Sequence, residues 1–272
     1  MTLMTTQNSI NIVQITDTHL YGRSSGTLLK MNTADSLARV IQKMTEKEKK
    51  IDLILATGDI AQDASQVAYE NFVDIIDALK IPFRWIPGNH DDVAIMHQVG
   101  AGKEINEKLV TINNWLIIML DSHIQGQVHG RLSESEMEFL KWSLQTADES
   151  DTIEHCLICL HHNPVPGTAG WMRDIGLENG QEFFQTIAAF PKVRSVVYAH
   201  IHQALDYILN GVRCFCTPST CIQFKPNVTN FTLDRLCPGY RRLKLSVDGS
   251  IDSEVIRIDG DGLEADFSSG GY

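Results

Sequence analysis

The chain has 272 residues, 43% of them hydrophobic and 21% charged, with a formal net charge of −11. This is the composition of an ordinary soluble globular protein, and the charge excludes a broad nucleic-acid or anionic-membrane surface, which needs clustered Lys and Arg. Residues 1–20 show no basic stretch followed by an apolar one, and no run approaches the length of a membrane span, so a cytoplasmic protein is expected.

The first two-thirds alternate strand and helix. Residues 10–16 read as a buried strand. Residues 32–49 read as an amphipathic helix with Ala34, Leu37, Ala38, Ile41 and Met44 on its apolar face. A strand over 52–57 is followed by a helix over 64–79, whose stripe is Val67, Phe72, Ile75, Ile76 and Leu79. A strand over 83–86 precedes a short helix near Asp92. Asn113-Asn114 joins strands over 109–112 and 115–120 at hairpin length. Ser133 to Glu136 has the form of a capping box and opens a helix with Met137, Leu140 and Leu144 inward. Strands ending at Leu160 and Ala199 enclose a helix over 181–189. Past His202 the pattern is all-β: 204–209, the Asn210-Gly211 turn, 212–217, 240–246 and 253–258. The tail, 259–272, is rich in Gly, Ser and Asp and is expected to be flexible. With no repeat, linker or composition break, residues 1–258 are expected to form one domain of two packed sheets with helices outside.

Six cysteines raise the question of zinc or disulfides. Cys156 and Cys159 have CxxC spacing within an apolar strand, where period-2 geometry sends them to opposite faces. Cys214 and Cys216 share a face, a poor geometry for pairing along one strand. Reduced, buried thiols are the expectation.

Five short clusters carry the chemistry: Asp17-Thr18-His19, Gly58-Asp59, Gly88-Asn89-His90-Asp91, His161-His162 and His200-Ile201-His202. Each follows an expected strand, and side chains just beyond parallel strand ends converge on one crevice. Asp17 and His19, two apart, are expected on one face. Asp59 is the candidate bridge, because a carboxylate has two oxygens, and Gly58 lets the backbone turn closely beside it. Asn89 offers a neutral amide oxygen, with His90 facing the other way. His161, His200 and His202 complete two coordination shells. Such recurring ligands describe a two-metal hydrolytic centre, and the mixture of imidazole and carboxylate suits Mn, Fe or Zn over Mg or Ca, with Fe and Mn favoured. Each cluster alone is weak, since a lone Asp-x-His or Gly-Asp is more often an ordinary turn. The order and strand-end placement of all five together carry the reading.

In order and spacing these clusters resemble the calcineurin-like metallophosphoesterases. The segments Ile15 to Leu20, Ala56 to Asp63 and Thr217 to Pro226 further resemble the bacterial class III 3′,5′-cyclic AMP phosphodiesterases, over nearly the whole chain. The resemblance implies an α/β fold, a four-layer αββα sandwich of two mixed sheets, with a binuclear centre at the strand ends. It implies that Asp17, His19 and His202 hold one divalent ion, that Asn89, His161 and His200 hold the other, and that Asp59 is shared. His90 is implied to face the phosphate as the catalytic residue, in a substrate site lined also by His19, Asp59, Asn89, His161 and His202. Residues 217–226 are implied to shape that site. Two departures stand out. Ala199 occupies a position that is usually Gly, which calls for an extended backbone there, and Asn163 replaces a frequent third His.

The implied reaction is hydrolysis of cyclic AMP to 5′-AMP by a metal-activated hydroxide, with His90 protonating the leaving oxygen. Trp171 is a candidate to stack on the base, against the plainer reading of a Trp that pins a loop. Asn179 is a weaker base contact, and His162 is expected beside the ligands and outside them. A metallophosphoesterase of broader specificity, acting on 2′,3′-cyclic nucleotides, other diesters or monoesters, is the alternative, since substrate choice lies in loops. A non-catalytic scaffold is a remote one, because every ligand position is filled. The expected partner is a small cyclic nucleotide, with no nucleic-acid polymer and no membrane, for a monomer or homodimer.

Overall fold

Asn32, Ser65, Asp92 and Ser133 each accept a hydrogen bond from the backbone N–H three residues on, at 3.0–3.3 Å, and each opens a helix. The helices are Thr33–Lys47, Gln66–Asp77, Val93–Val99 and Glu134–Glu149. A cap of this kind is worth about 1 kcal/mol, because it satisfies a donor the helix itself cannot. A fifth helix, Gly180–Ile187, lies where 181–189 is expected.

In this computed structural model, which describes residues 2–3, 8–260 and 264–271, the strands form two main sheets. One is five-stranded, in the order Ile251–Arg257, Gly239–Ser246, Ser9–Ile15, Leu53–Thr57, Phe83–Ile86. The other is seven-stranded, in the order Thr2–Leu3, Leu109–Ile112, Trp115–Met119, His155–Cys159, Val193–Tyr198, Val212–Cys216, Leu205–Leu209. Both are mixed. In the first, Ser9–Ile15, Leu53–Thr57 and Phe83–Ile86 run parallel, with Ile12 opposite Leu53 and Ile54 opposite Phe83. In the second, Trp115–Met119, His155–Cys159 and Val193–Tyr198 run parallel, with Trp115 opposite His155.

Three apolar layers hold the stack together. Ile10, Ile12, Leu53 and Leu55 meet Trp115, Ile117, Leu157 and Val197 between the sheets. Val13, Ile15, Ile54 and Ala56, on the opposite face of the first sheet, receive Leu37, Val40, Met44, Phe72 and Ile76 from helices. Ile118, Cys156, Ile158 and Val196 receive Met137, Leu140, Leu144, Phe183 and Ile187. The architecture is therefore αββα, as expected. Cys156 faces the helices and Cys159 the inter-sheet layer, so their CxxC spacing joins nothing, while Cys214 and Cys216 share the helix side.

Two helix-face assignments need correction. Val67 is 49% exposed, because it sits in the first turn on the far side from Ala68, Tyr69, Phe72, Val73 and Ile76. Ala38 is exposed, and Val40 takes the buried place, since the face repeats from Thr33 through Leu37 and Val40 to Met44. At the hairpin, Asn210 and Gly211 have φ of 51° and 83°, the left-handed pair that a type I′ turn requires. Of the expected tail, residues 261–263 and 272 lie outside the described residues. Asp266 donates its backbone N–H to Leu29 O (2.7 Å) and pairs with Lys30 (2.8 Å). Among the described residues no helix is long and apolar enough to cross a membrane.

Candidate metal centre

Every expected ligand lies just past the C-terminal end of a parallel strand. Asp17 and His19 follow Ser9–Ile15, Asp59 follows Leu53–Thr57, Asn89 follows Phe83–Ile86, His161 follows His155–Cys159, and His200 and His202 follow Val193–Tyr198. Three of these strands belong to one sheet and two to the other, so the ligands meet across the top of the inter-sheet layer.

Asp17 and His19 meet for a reason other than strand alternation, since the strand has ended at Ile15. Both are left-handed, with φ of 51° and 46°, and Asp59, His200 and His202 are left-handed as well, at 49°, 71° and 47°. Backbone N–H groups of Asp17 and His19 donate to the carbonyls of Gly58 and Asp59 at 3.0 and 2.9 Å, which holds the kinks in place. Such residues cost on the order of 1–3 kcal/mol each and persist where the surroundings over-determine them. Ala199, in contrast, is not among the positive-φ residues, as its side chain requires.

The result is two adjoining nests. Ligand atoms of Asp17, His19 and His202 lie within 4.8 Å of one another, and so do those of Asp17, Asp59 and His161. His202 Nε2 is 3.3 Å from Asp17 Oδ1 and 3.3 Å from His19 Nε2. Asp59 Oδ2 stands between the nests, 3.3 Å from His161 Nε2 and 3.9 Å from His19 Nε2. Its Oδ1 accepts the backbone N–H of His90 at 2.9 Å. Two glycines make the approach possible. A Cβ on Gly58 (φ +95°) would stand 2.5 Å from His161 Nδ1, and one on Gly88 would stand 2.2 Å from Asp59 Oδ1.

The outer nitrogens of three imidazoles are tied to oxygen acceptors. Nδ1–H of His19 donates to Gln62 Oε1 (2.6 Å), that of His161 to Thr57 O (2.7 Å) and that of His202 to Ile222 O (2.8 Å). Donation from Nδ1 leaves Nε2 as the lone-pair nitrogen whenever the ring is neutral. The Nε2 atoms of His19 and His202 then point lone pairs at each other, an arrangement that a cation relieves. Asp17 Oδ1 and Oδ2, Asn89 Oδ1, His161 Nε2 and both ring nitrogens of His200 are buried with no aligned hydrogen-bond partner. His161 and Asp59 are therefore in charge contact without hydrogen-bond alignment. This donor set fits a pair of divalent cations.

The electrostatics agree. Burial resists ionisation of Asp59, but the rings of His161, His90 and His19 outweigh it and hold the carboxyl well below its usual range. Burial disfavours a charged His161 ring too, yet Asp59 and then Asp17 push it up to about 9. Burial, then neighbouring imidazoles against the carboxylates, leaves His19 and His200 at about 3, as neutral rings suited to coordination.

His90 is half-buried at the rim, edge-on to the His19 ring at 5.0 Å. Trp171 is outside the ligand groups. It packs edge-on to Phe224 at 5.0 Å, and Phe224 in turn stacks on His202. Asn179 is committed elsewhere: its amide pairs with both the N–H and the carbonyl of Leu132 at 3.0 Å, which closes a loop. Residues 217–226 lie against the centre, where Ser219 Oγ donates to Asp17 O at 2.8 Å.

Several contacts that support this centre were not legible in the sequence. Gln62 orients His19. Asp91 accepts N–H groups of Gly88, Ile60 and Ala61 at 2.8–3.2 Å, tying the Asn89 turn to the Asp59 turn, and burial beside Asp59 raises it to about 7. Its place in Gly88-Asn89-His90-Asp91 was the available signal. Gln14, Thr217 and Arg241 form a buried chain between the sheets beneath the site, with Thr217 Oγ1 2.6 Å from Gln14 Oε1 and 3.1 Å from Arg241 Nε. Nothing in sequence spacing marks residues 203 positions apart as partners.

Two packed sheets with paired imidazole–carboxylate nests at their shared end define a metallophosphoesterase fold. The calcineurin-like phosphoesterase family model matches residues 10–204, and the chain belongs to that family. Among curated proteins it is 39% identical to the 3′,5′-cyclic adenosine monophosphate phosphodiesterase CpdA of Pseudomonas aeruginosa, over 98% of this chain and 97% of that one. It is 40% identical to the protein of the same name from Escherichia coli K12, over 97% and 95%. Among solved structures, a dimetal phosphatase from Danio rerio superposes with a TM-score of 0.62 at 16% identity, over 92% of this chain and 99% of that one, a likeness of fold.

Proposed function

We propose that this protein hydrolyses 3′,5′-cyclic AMP to 5′-AMP at a binuclear metal centre. The observation that carries the centre is the pair of facing imidazoles, His19 and His202, 3.3 Å apart with both outer nitrogens tied to oxygen acceptors. Full-length similarity to two cyclic AMP phosphodiesterases supports the substrate. In this reading Asp17, His19 and His202 hold one ion, Asn89, His161 and His200 the other, and Asp59 both. Two divalent cations there supply Lewis acidity toward phosphoryl oxygens and acidify water. Iron or manganese is the favoured occupant, given the mixture of carboxylate and imidazole.

The side chains do the rest. The left-handed turns at Asp17, His19 and Asp59 fix the donor atoms before substrate arrives, so orientation costs nothing during reaction. His90, held by its backbone to Asp59, places its ring at the rim and gives a proton to the departing 3′ oxygen. Trp171, half-buried beside Phe224, offers part of its indole to the base. Six unpaired thiols, five of them buried, suit a reducing cytoplasm, where the protein works as a monomer or homodimer.

Purified protein loaded with Mn2+ or Fe2+ should convert cyclic AMP to 5′-AMP faster than it hydrolyses cyclic GMP, a 2′,3′-cyclic nucleotide or an aryl phosphodiester, and a chelator should abolish this. Turnover of the aryl diester with cyclic AMP untouched would sink the substrate assignment and leave the broader-specificity reading.

A further inference from the structure

His162 stands beside the second nest and has no part in the reading above. Its Nδ1 lies 2.8 Å from Ser122 Oγ, just past the strand Trp115–Met119. Gly130 makes room for the ring: a Cβ there would stand 2.1 Å from Nδ1 and 2.3 Å from Cγ. The imidazole is fully buried, its centroid 4.8 Å from that of His200 and 5.0 Å from that of His161. One ring nitrogen from each of the three falls within 4.8 Å of the other two. Nε2 of His162 makes no aligned hydrogen bond, and the backbone of Val128 is the further polar neighbour of the ring. Leaving a buried polar atom bare carries a desolvation penalty. A ring cradled by a missing side chain, anchored at one nitrogen and bare at the other is built to receive something at Nε2.

We propose that His162 Nε2 is a further donor to the cation held by Asn89, His161 and His200, which makes the second nest a three-imidazole site. The proposal rests on the two-cation reading. It makes the nests chemically unequal. The first offers two imidazoles with Asp17 and Asp59, and the second offers three with an amide and the shared carboxylate. Imidazole nitrogen suits Zn and Fe, and carboxylate oxygen suits Mn, so the second nest selects the more nitrogen-seeking ion from a mixture. Ser122 is the positioning residue, setting the ring by its contact with Nδ1.

Calorimetric titration of the metal-free protein with Zn2+, and separately with Mn2+, tests this. The parent should bind two Zn2+ ions; fewer than two would overturn the two-cation reading and this proposal with it. In His162→Asn, the affinity of one Zn2+ should fall by about 100-fold or more, beyond the range for outer-sphere changes, with the other unchanged and Mn2+ less affected. Ser122→Ala should weaken the same ion by about 10-fold. Co2+ bound to the weakened site should show an altered visible spectrum in both variants. Two Zn2+ constants equal to the parent's in His162→Asn, or an equal fall in both, overturn the role of His162 and leave the two-cation reading standing. If His162→Asn does not reach the parent's circular dichroism, Ser122→Ala decides, and an unchanged Zn2+ affinity there overturns the proposal.

Discussion

The ring of Phe224 lies flat on the imidazole of His202, with 4.1 Å between centroids and 13° between planes. One face of His202 is thereby fixed by an aromatic surface, its Nδ1 by Ile222 O, and only Nε2 is left for the nest. Phe224 is itself clamped edge-on by Trp171 and Phe231. Phe224→Ala should cost about 3–5 kcal/mol of stability as a buried large-to-small change. Phe224→Leu should cost less and still weaken the ion bound by Asp17, His19 and His202. Denaturant melts of the metal-free variants, with metal titrations beside them, separate the two effects.

Gly88→Ala should damage the shared ligand and spare the fold's core. The added Cβ would meet Asp59 Oδ1 at 2.2 Å and Asp59 N at 2.4 Å, well inside contact distance. The Asp59 turn must move, at a cost of about 1–3 kcal/mol, and both ions should bind more weakly. Elemental analysis of the dialysed variant should find less than the parent's metal content.

His90→Ala should lower kcat by about 10²- to 10⁴-fold, the usual contribution of a proton donor. Metal content should not change, because the tie between residue 90 and Asp59 runs through the backbone N–H, which Ala retains. Loss of metal along with turnover would contradict the role assigned to this ring.

The metal-free protein should be most stable near pH 6.5. His19 and His200 stay neutral down to about 3 because they are buried, so between 6.5 and 3 the unfolded chain binds more protons and stability falls with pH. His161 is held charged up to about 9, against burial, by Asp59 and Asp17. Between 6.5 and 9 the folded chain therefore holds the extra proton, and that stability is lost as pH rises through about 9. A cation displaces that proton, so added metal should remove the alkaline decline. Thermal melts across pH 4–10, with chelator and with Mn2+, read both limbs.

Much of this was legible in the chain itself. Strand and helix periods, the Ser133 cap and the Asn210-Gly211 turn are local signals, each requiring only its neighbours to be understood. The errors at Ala38 and Val67 share one cause. Which side of a helix faces the sheet is set by where the helix docks, and an apolar residue beside the stripe looks like part of it.

The candidate ligand types and their strand-end positions follow from sequence because a two-cation site calls for Asp, Asn and His, and parallel strands all end on one side. How the ligands meet does not follow from it. Asp17 and His19 converge through left-handed turns held by hydrogen bonds to the Gly58 turn, and Gln62, Ser122 and Phe224 set the rings of His19, His162 and His202. Those contacts join residues up to 183 positions apart in the nest itself, between His19 and His202. Local sequence carries no record of such partners, because the sheets must first pack before strand ends from both can share one crevice.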